Sequence, residues 1–307
     1  MELLIGAGGW AYFQVPGEDQ LAAYSRAFNF VEVNSTFYEL PGTREAESWR
    51  KRVPEDFEFT VRCHRDLTHV LELAPTEGAF RIFEKMRAIC RALRAGILHM
   101  QSPPRIDYTE SKIQSIRSFL NAIDLKDMRI AWEIRAEEQR SIPPSMVRLM
   151  QDFNVIHSVD LSKEEPAYES DIVYARLFGK GYHNIYQFTD EELLEIDDKA
   201  SRTEAKKAIL SFHGLRMYKD AARFKIHKQT GIFPQTTKST GLESLREVLS
   251  EDAKLPATKE ELLTHQGWKV IDVTKTSRRR AAEFLNKLPD QTYMSIEQVV
   301  EVLKTRL

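Results

Sequence analysis

The chain has 307 residues, 42% of them hydrophobic and 29% charged, enough to bury one large core and a smaller one. A formal net charge of -2 gives no global attraction to nucleic acid, and Cys63 and Cys90, without C-x-x-C spacing, argue against a disulfide framework or a thiolate zinc site. No run of about 18 or more apolar residues occurs, and the Met1-Glu2-Leu3-Leu4-Ile5 start lacks a basic region, so neither a spanning helix nor a signal peptide is expected and a cytoplasmic location is.

From the N-terminus, β-rich runs alternate with amphipathic stretches, the pattern of parallel βα units. Strands are predicted at Leu3 to Gly8, Phe30 to Thr36, Phe57 to Cys63, Gly96 to Gln101, Arg129 to Arg135, Val155 to Leu161, Ile172 to Phe178 and Ala208 to His213. Helices are predicted at Leu21 to Phe28, Arg44 to Arg52, Ala79 to Arg94, Ser111 to Ile123, Pro144 to Phe153, Glu191 to Ala200 and Arg216 to Ile226, with too little chain for a full helix between the sixth and seventh strands. Eight strands over about 225 residues suit a TIM-type (β/α) barrel, with a doubly wound open sheet as the competing layout. The barrel is assigned to residues 1–228. Polar residues with Gly and Pro punctuation then predict a linker over 229–254, followed by a small helical domain over 255–307. Its helices are expected at Thr258 to His265, Ser277 to Lys287 and Ser295 to Leu303, each capped by its first residue, with Gln298 completing a capping box on Ser295.

The first strand exits through Leu3-Leu4-Ile5-Gly6-Ala7-Gly8-Gly9-Trp10-Ala11-Tyr12, which fits the dinucleotide pattern G-x-G-x-x-[G/A]. That fingerprint needs a helix starting inside the glycine turn, so that its amides meet the phosphates. Pro16 and Gly17 break the chain before the first helix, so the glycines are expected instead to give a tight exit that folds Trp10 over the barrel mouth.

Alternation with period two puts Glu32 and Asn34 on one face of the second strand and Val31 and Val33 on the other. A carboxylate is costly against the helix ring, so Glu32 and Asn34 are expected to point inward. The same arithmetic pairs His99 with Gln101, Glu133 with Arg135, and Ser158 with Asp160 at the ends of the fourth, fifth and sixth strands, and Arg176 sits late in the seventh. Groups at C-terminal strand ends form TIM-barrel active sites, so these residues form either a site or a structural salt-bridge layer of Glu32 or Glu133 against Arg176.

The segments IGAGGWAY, VEVNSTFYELP, FEFTVRCHRDLTH, GILHMQSPP, IAWEIR, HSVDL and YARLFG, in that order, resemble the YecE-like proteins, the domain of unknown function 72 family, over about residues 1–228. The resemblance implies a TIM-type barrel with a rim of Glu32, Asn34, Thr68, His69, Gln101, Glu133, Arg135, Asp160 and Arg176, and it supplies no reaction. The chain departs from the family at Ala136 and at Phe178-Gly179, where relatives tend to have His and His-Gly. It departs again at His213-Gly214, in place of an Asn pair, and at Arg62, in place of Lys. The C-terminal LPATKEELLTHQGWKV and AAEFLNKLPDQTYMSIEQVVEVLK resemble the small helical domain of unknown function 2795, which would imply a module for a protein partner through residues 255–307, or else a helical cap on the barrel.

Glu32 and Glu133, with Asp160, suit general acid–base work or hard ligation of a divalent metal completed by His69, His99 or His213, although no H-E-x-x-H or H-x-H spacing occurs. Arg62, Arg135 and Arg176 suit a phosphate or carboxylate. Trp10, Asn34, His69 and Gln101 are assigned with them to substrate binding. Lys199, Arg202, Lys206, Lys207, Arg216, Lys219, Arg223, Lys225 and Lys228 stand against two acids, Glu204 and Asp220, with Phe212, Tyr218 and Phe224 interleaved, a pattern for nucleic acid or for a solvated face. Arg278-Arg279-Arg280 reads as the exposed start of a capped helix. Two readings follow. One is a hydrolase or lyase acting on a phosphate-bearing or nucleic-acid-derived substrate, with Glu32 or Glu133 as base and Asp160 as acid. The other is a non-catalytic nucleic-acid or protein adaptor.

Overall fold

The structure, a computed structural model, describes residues 1–135 and 142–306. It divides into two compact units: Met1–Leu177 with Lys199–Phe212, and Phe178–Asp198 with His213–Leu307.

In the first unit, eight parallel strands form one sheet: β1 (Glu2–Ala7), β2 (Phe30–Val33), β3 (Glu58–Arg62), β4 (Ile97–Ser102), β5 (Arg129–Ile134), β6 (Ile156–His157), β7 (Ile172–Leu177) and β8 (Lys207–Phe212). Their order is β6-β5-β4-β3-β2-β1-β8-β7. The outer strands meet beyond the end of β6, where Val159 bridges Ala175 and accepts the Arg176 N–H at 2.9 Å, so the sheet closes as a barrel. Both faces of a parallel barrel are covered, which is why the strands read as apolar runs. Leu4, Phe30, Ile97, Ala131, Ile156, Tyr174 and Ile209 fill the interior as one packed layer.

The intervening helices are α1 (Gln20–Ala27), α2 (Thr43–Lys51), α3 (Glu77–Leu93), α4 (Glu110–Ala122), α5 (Pro144–Asp152) and α6 (Asp190–Ser201). Asp19, Thr76 and Thr109 each accept an N–H of the first turn, satisfying a donor that would otherwise have no partner. In α3, Phe83, Met86, Cys90 and Leu93 recur at helical spacing and form the buried face. Cys63 and Cys90 are both free and buried.

The glycine turn after β1 opens no helix: the next one starts at Gln20. Gly6 is needed for close packing, since a Cβ there would lie 2.0 Å from the Phe30 carbonyl oxygen. Tyr24 fills the adjoining space, its hydroxyl accepting the Ala7 N–H and donating to that same carbonyl.

The second unit contains α7 (Met217–Thr230), α8 (Leu242–Ser250), β9 (Ala257–Thr258), α9 (Lys259–Gln266), β10 (Val270–Asp272), β11 (Arg278–Arg280), α10 (Ala281–Leu285), β12 (Thr292–Tyr293) and α11 (Ile296–Lys304). Leu245, Leu249, Leu262, Ile271, Leu285, Tyr293, Val299 and Leu303 share its core. The stretch that reads as a linker holds α8, whose Leu245, Val248 and Leu249 are buried, so an apolar helix face outweighs the loop-like flanks. The C-terminal stretch is not purely helical, because β10 pairs antiparallel with β11 and β9 with β12. Helix Ser277 to Lys287 is corrected accordingly. Arg278–Arg280 is a strand and the helix begins at Ala281, because pairing with Val270–Asp272 overrides the local signal. Thr258 caps α9 in a full capping box with Glu261. Ser295 caps α11, whereas the Gln298 side chain takes the Met294 N–H instead of that of Ser295. Among the described residues no helix is long and apolar enough to cross a membrane.

Candidate active site at the C-terminal ends of the barrel strands

Two residues beyond the interior apolar layer, toward the C-terminal strand ends, the inward face turns polar. Phe30 is followed by Glu32, Ile97 by His99 and Gln101, Ala131 by Glu133 and Arg135, Ile156 by Ser158 and Asp160, and Tyr174 by Arg176. Parallel register brings them level: Glu32 is opposite Thr60, Arg62 opposite His99, and Gln101 opposite Glu133.

Arg176 organises this layer. Its Nε and Nη2 donate to the two carboxylate oxygens of Glu32, both at 3.1 Å, and its Nη1 donates to Glu133 Oε2 at 2.5 Å and Gln101 Oε1 at 3.0 Å. Arg176 and Glu32 are at most 1% exposed, and the Tyr174 hydroxyl adds a further donor to Glu32 at 2.9 Å, supported from Thr60 at 2.7 Å. A charge this deeply buried requires such pairing. The two carboxylates hold the Arg176 guanidinium above its usual range, although burial opposes this.

The network reaches solvent on one side. Glu133 is 13% exposed and accepts from Arg135 Nε at 2.6 Å, and the Arg135 side chain is 43% exposed. Burial works against ionisation of Glu133, but Arg176 and Arg135 outweigh it and draw the carboxyl down to about 2. Arg62 donates to Gln101 at 2.8 Å and Asn34 at 2.7 Å, and lies 3.8 Å over the Phe37 ring. Burial, then repulsion from Arg176, lowers it to about 10, so it remains charged at neutral pH. Among the described residues, Arg62 Nε and His99 Nδ1 are buried donors or acceptors without a hydrogen-bond partner. His99 contacts Ser158 through Nε2 at 3.2 Å, and burial together with Arg176, Arg62 and Arg135 pushes its pKa well down, so its ring is neutral.

His69 lies at the edge of Phe37, with Nδ1 2.8 Å from the Thr68 hydroxyl, and burial and the neighbouring arginines lower its pKa. Asp160 accepts from the Ser162 N–H and hydroxyl and lies 3.5 Å from Lys163. Trp10 packs edge-on against Trp49 at 5.2 Å. His213 is in the second unit, stacked on Phe178 at 4.8 Å, and Ala136 is outside the described residues. Among the described residues, no three His, Cys, Asp or Glu side chains are placed to hold a metal ion.

Three contributors went unread in the sequence. Thr60 and Tyr174 lie on the inward face by the same alternation that selects Arg62 and Arg176, so their hydroxyls were available to that rule. Glu164 follows β6 in the loop after Asp160, and its carboxyl is raised by burial and then by Asp160 and Glu133. The basic run is divided between the units. Lys206 and Lys207 sit where β8 begins, at the end of the barrel opposite this rim, and not beside it. Arg216 and Lys219 pair with Glu251, Arg223 with Asp190 and Asp220, and Lys228 with Asp197, because the acids on neighbouring elements neutralise them.

A family profile described as "Protein of unknown function DUF72" matches residues 4–238. A curated relative, "UPF0759 protein YunF" of Bacillus subtilis (strain 168), is 26% identical over 170 residues, 51% of this chain; the match spans 60% of that relative's length. Two solved DUF72 family proteins share the fold. One, from Thermotoga maritima MSB8, has a TM-score of 0.58 at 17% identity, covering 75% of this chain and 100% of that one. The other, from Enterococcus faecalis V583, has a TM-score of 0.57 at 17% identity, covering 75% of this chain and 98% of that one.

Proposed function

The chain belongs to the DUF72 family of proteins of unknown function, and we propose that it is an enzyme of hydrolase or lyase type, acting on a phosphate-bearing or nucleic-acid-derived anion at the C-terminal rim of the barrel. The observation that carries this reading is the open side of the arginine layer. There Glu133, held ionised between Arg176 and Arg135, meets solvent, and among the described residues Arg62 Nε has no hydrogen-bond partner. A purely structural layer would bury both ends.

In this reading Glu32 is a positioning residue, because Arg176 and Tyr174 occupy its carboxylate away from solvent. Arg62 and Arg135 bind the anion, with Asn34 and Gln101 fixing the Arg62 guanidinium. A carboxyl lowered to about 2 is a poor proton acceptor at neutral pH, so Glu133 holds the two arginines in place and supplies fixed negative charge. Proton acceptance falls to the neutral His69 ring and proton donation to Glu164, whose carboxyl burial and the neighbouring acids raise, since sites that push carboxyl pKa values apart divide acid from base roles.

The test is turnover of phosphomonoesters, phosphodiesters and short oligonucleotides by wild type and Glu133→Gln. Turnover reduced about 100-fold or more in a variant that still unfolds cooperatively in urea is expected. No turnover across the panel, with salt-dependent oligonucleotide binding that is lost in Lys206→Glu/Lys207→Glu, would replace this reading with the non-catalytic adaptor.

A further inference from the structure

The second unit contains a cavity of about 470 Å³ that belongs to no part of the barrel rim. Its volume falls in the range of small-molecule sites. Ile185, Leu215, Pro256, Leu262 and Trp268 give it apolar walls, and Gln266 is among its lining residues. Leu262 and Gln266 are buried, while Leu215 is 66% and Ile185 39% exposed, which fits a closed floor beneath an apolar mouth.

Gln266 is the informative residue. It is 4% exposed, and among the described residues its Oε1 has no hydrogen-bond partner. The neighbouring Asp252 carboxylate, lowered in part by Gln266, favours the orientation that turns the amide NH2 toward it. A buried amide oxygen without a donor is destabilising unless something fills that place. Of the charged lining groups, Asp252 holds Lys269 Nζ at 2.5 Å, Glu261 accepts from the Thr258 N–H and hydroxyl in the capping box of α9, and Lys254 is exposed. No unbalanced buried charge is left to attract an ion.

We propose that this cavity is a binding site for a small, neutral, planar apolar molecule bearing one N–H or O–H donor, which packs against Trp268 and Leu262 and donates to Gln266 Oε1. The apolar walls, with the lining carboxylates Asp252 and Glu261 already hydrogen-bonded, favour a neutral molecule over an ion. The unsatisfied oxygen selects against pure hydrocarbons.

Indole and indene, alike in shape but differing in the N–H, are the probes, titrated calorimetrically into the full chain. Indole is expected to bind saturably at one site, about tenfold or more tighter than indene. Gln266→Leu should erase that preference. Should this core variant not fold, Leu215→Asp at the exposed mouth tests the same site, and it should weaken indole about tenfold with an unchanged urea midpoint. Absence of saturable indole binding, equal affinity for indole and indene, or unaltered binding by Leu215→Asp would overturn the proposal.

Discussion

Each unit of the molecule buries an arginine between two carboxylates, and the two arrangements end differently. In the barrel, Arg176 lies between Glu32 and Glu133. In the second unit, Arg278 lies between Asp272, at 3.0 Å, and Asp190, at 2.8 Å. Around Arg278 every neighbour serves the fold. Its Nη2 donates to the Phe233 and Lys275 carbonyls, and Asp272 Oδ2 collects the backbone N–H and hydroxyl of both Thr236 and Thr237. The segment before α8 is thereby tied to β10. Around Arg176 the chain of contacts runs outward through Glu133 to the half-exposed Arg135. Buried ion pairs are therefore no sign of function in themselves; an ion-pair layer open to solvent on one side is.

Neutralising either arginine should have the largest effect. Arg176→Met and Arg278→Met each leave a fully buried carboxylate unpaired, and a loss of about 3–5 kcal/mol in urea-unfolding free energy is expected for both. A small loss for Arg176 alone would show that the barrel layer is not organised around it. The carboxylates should separate the two regions. Glu133→Gln can accept from only one of its two arginines, and it is expected to abolish turnover in a protein that still folds, at a lowered urea midpoint. Asp272→Asn is expected to lower the midpoint and leave turnover intact.

Acid sharpens the same contrast. The folded-state pKa of Glu133, about 2, is below its ordinary 4.5, so its stabilisation is complete above pH 4.5 and disappears as pH falls from 4.5 toward 2. A urea-midpoint series across that window should show this step in the wild type, and a smaller one in Glu133→Gln. The smallest effects belong to the helix ends: Thr109→Ala in the barrel and Thr258→Ala in the second unit should each cost about 1 kcal/mol. A clearly greater cost for Thr258 would credit the reciprocal Glu261 contact.

The barrel was legible because its signals are periodic. Strand alternation located the inward Glu32, His99, Gln101, Glu133 and Arg176, and the observed strands begin and end close to the predicted ones, apart from the shorter β2 and β6. Period two also places residues without weighing them. It cannot tell that Glu32 would be fully occupied by Arg176 while Glu133 reached solvent, because that depends on strand length and on which neighbour is closer. The second unit was less legible because long-range pairing decides it. Arg278-Arg279-Arg280 has the composition of an exposed helix start, and only pairing with Val270–Asp272 and the carboxylates of Asp272 and Asp190 make it a strand with Arg278 buried. Lys206 and Lys207 stand where β8 opens, and a residue that opens a strand lies at the opposite mouth from one that closes it.

The most direct test is a calorimetric titration of the full chain with inorganic phosphate, comparing wild type, Arg62→Gln and Lys206→Glu/Lys207→Glu. An anion site at the open side of the Arg176 layer predicts saturable binding, weakened about tenfold or more by Arg62→Gln and unaffected by the lysine reversals. Binding that ignores Arg62, or follows Lys206 and Lys207, would contradict it.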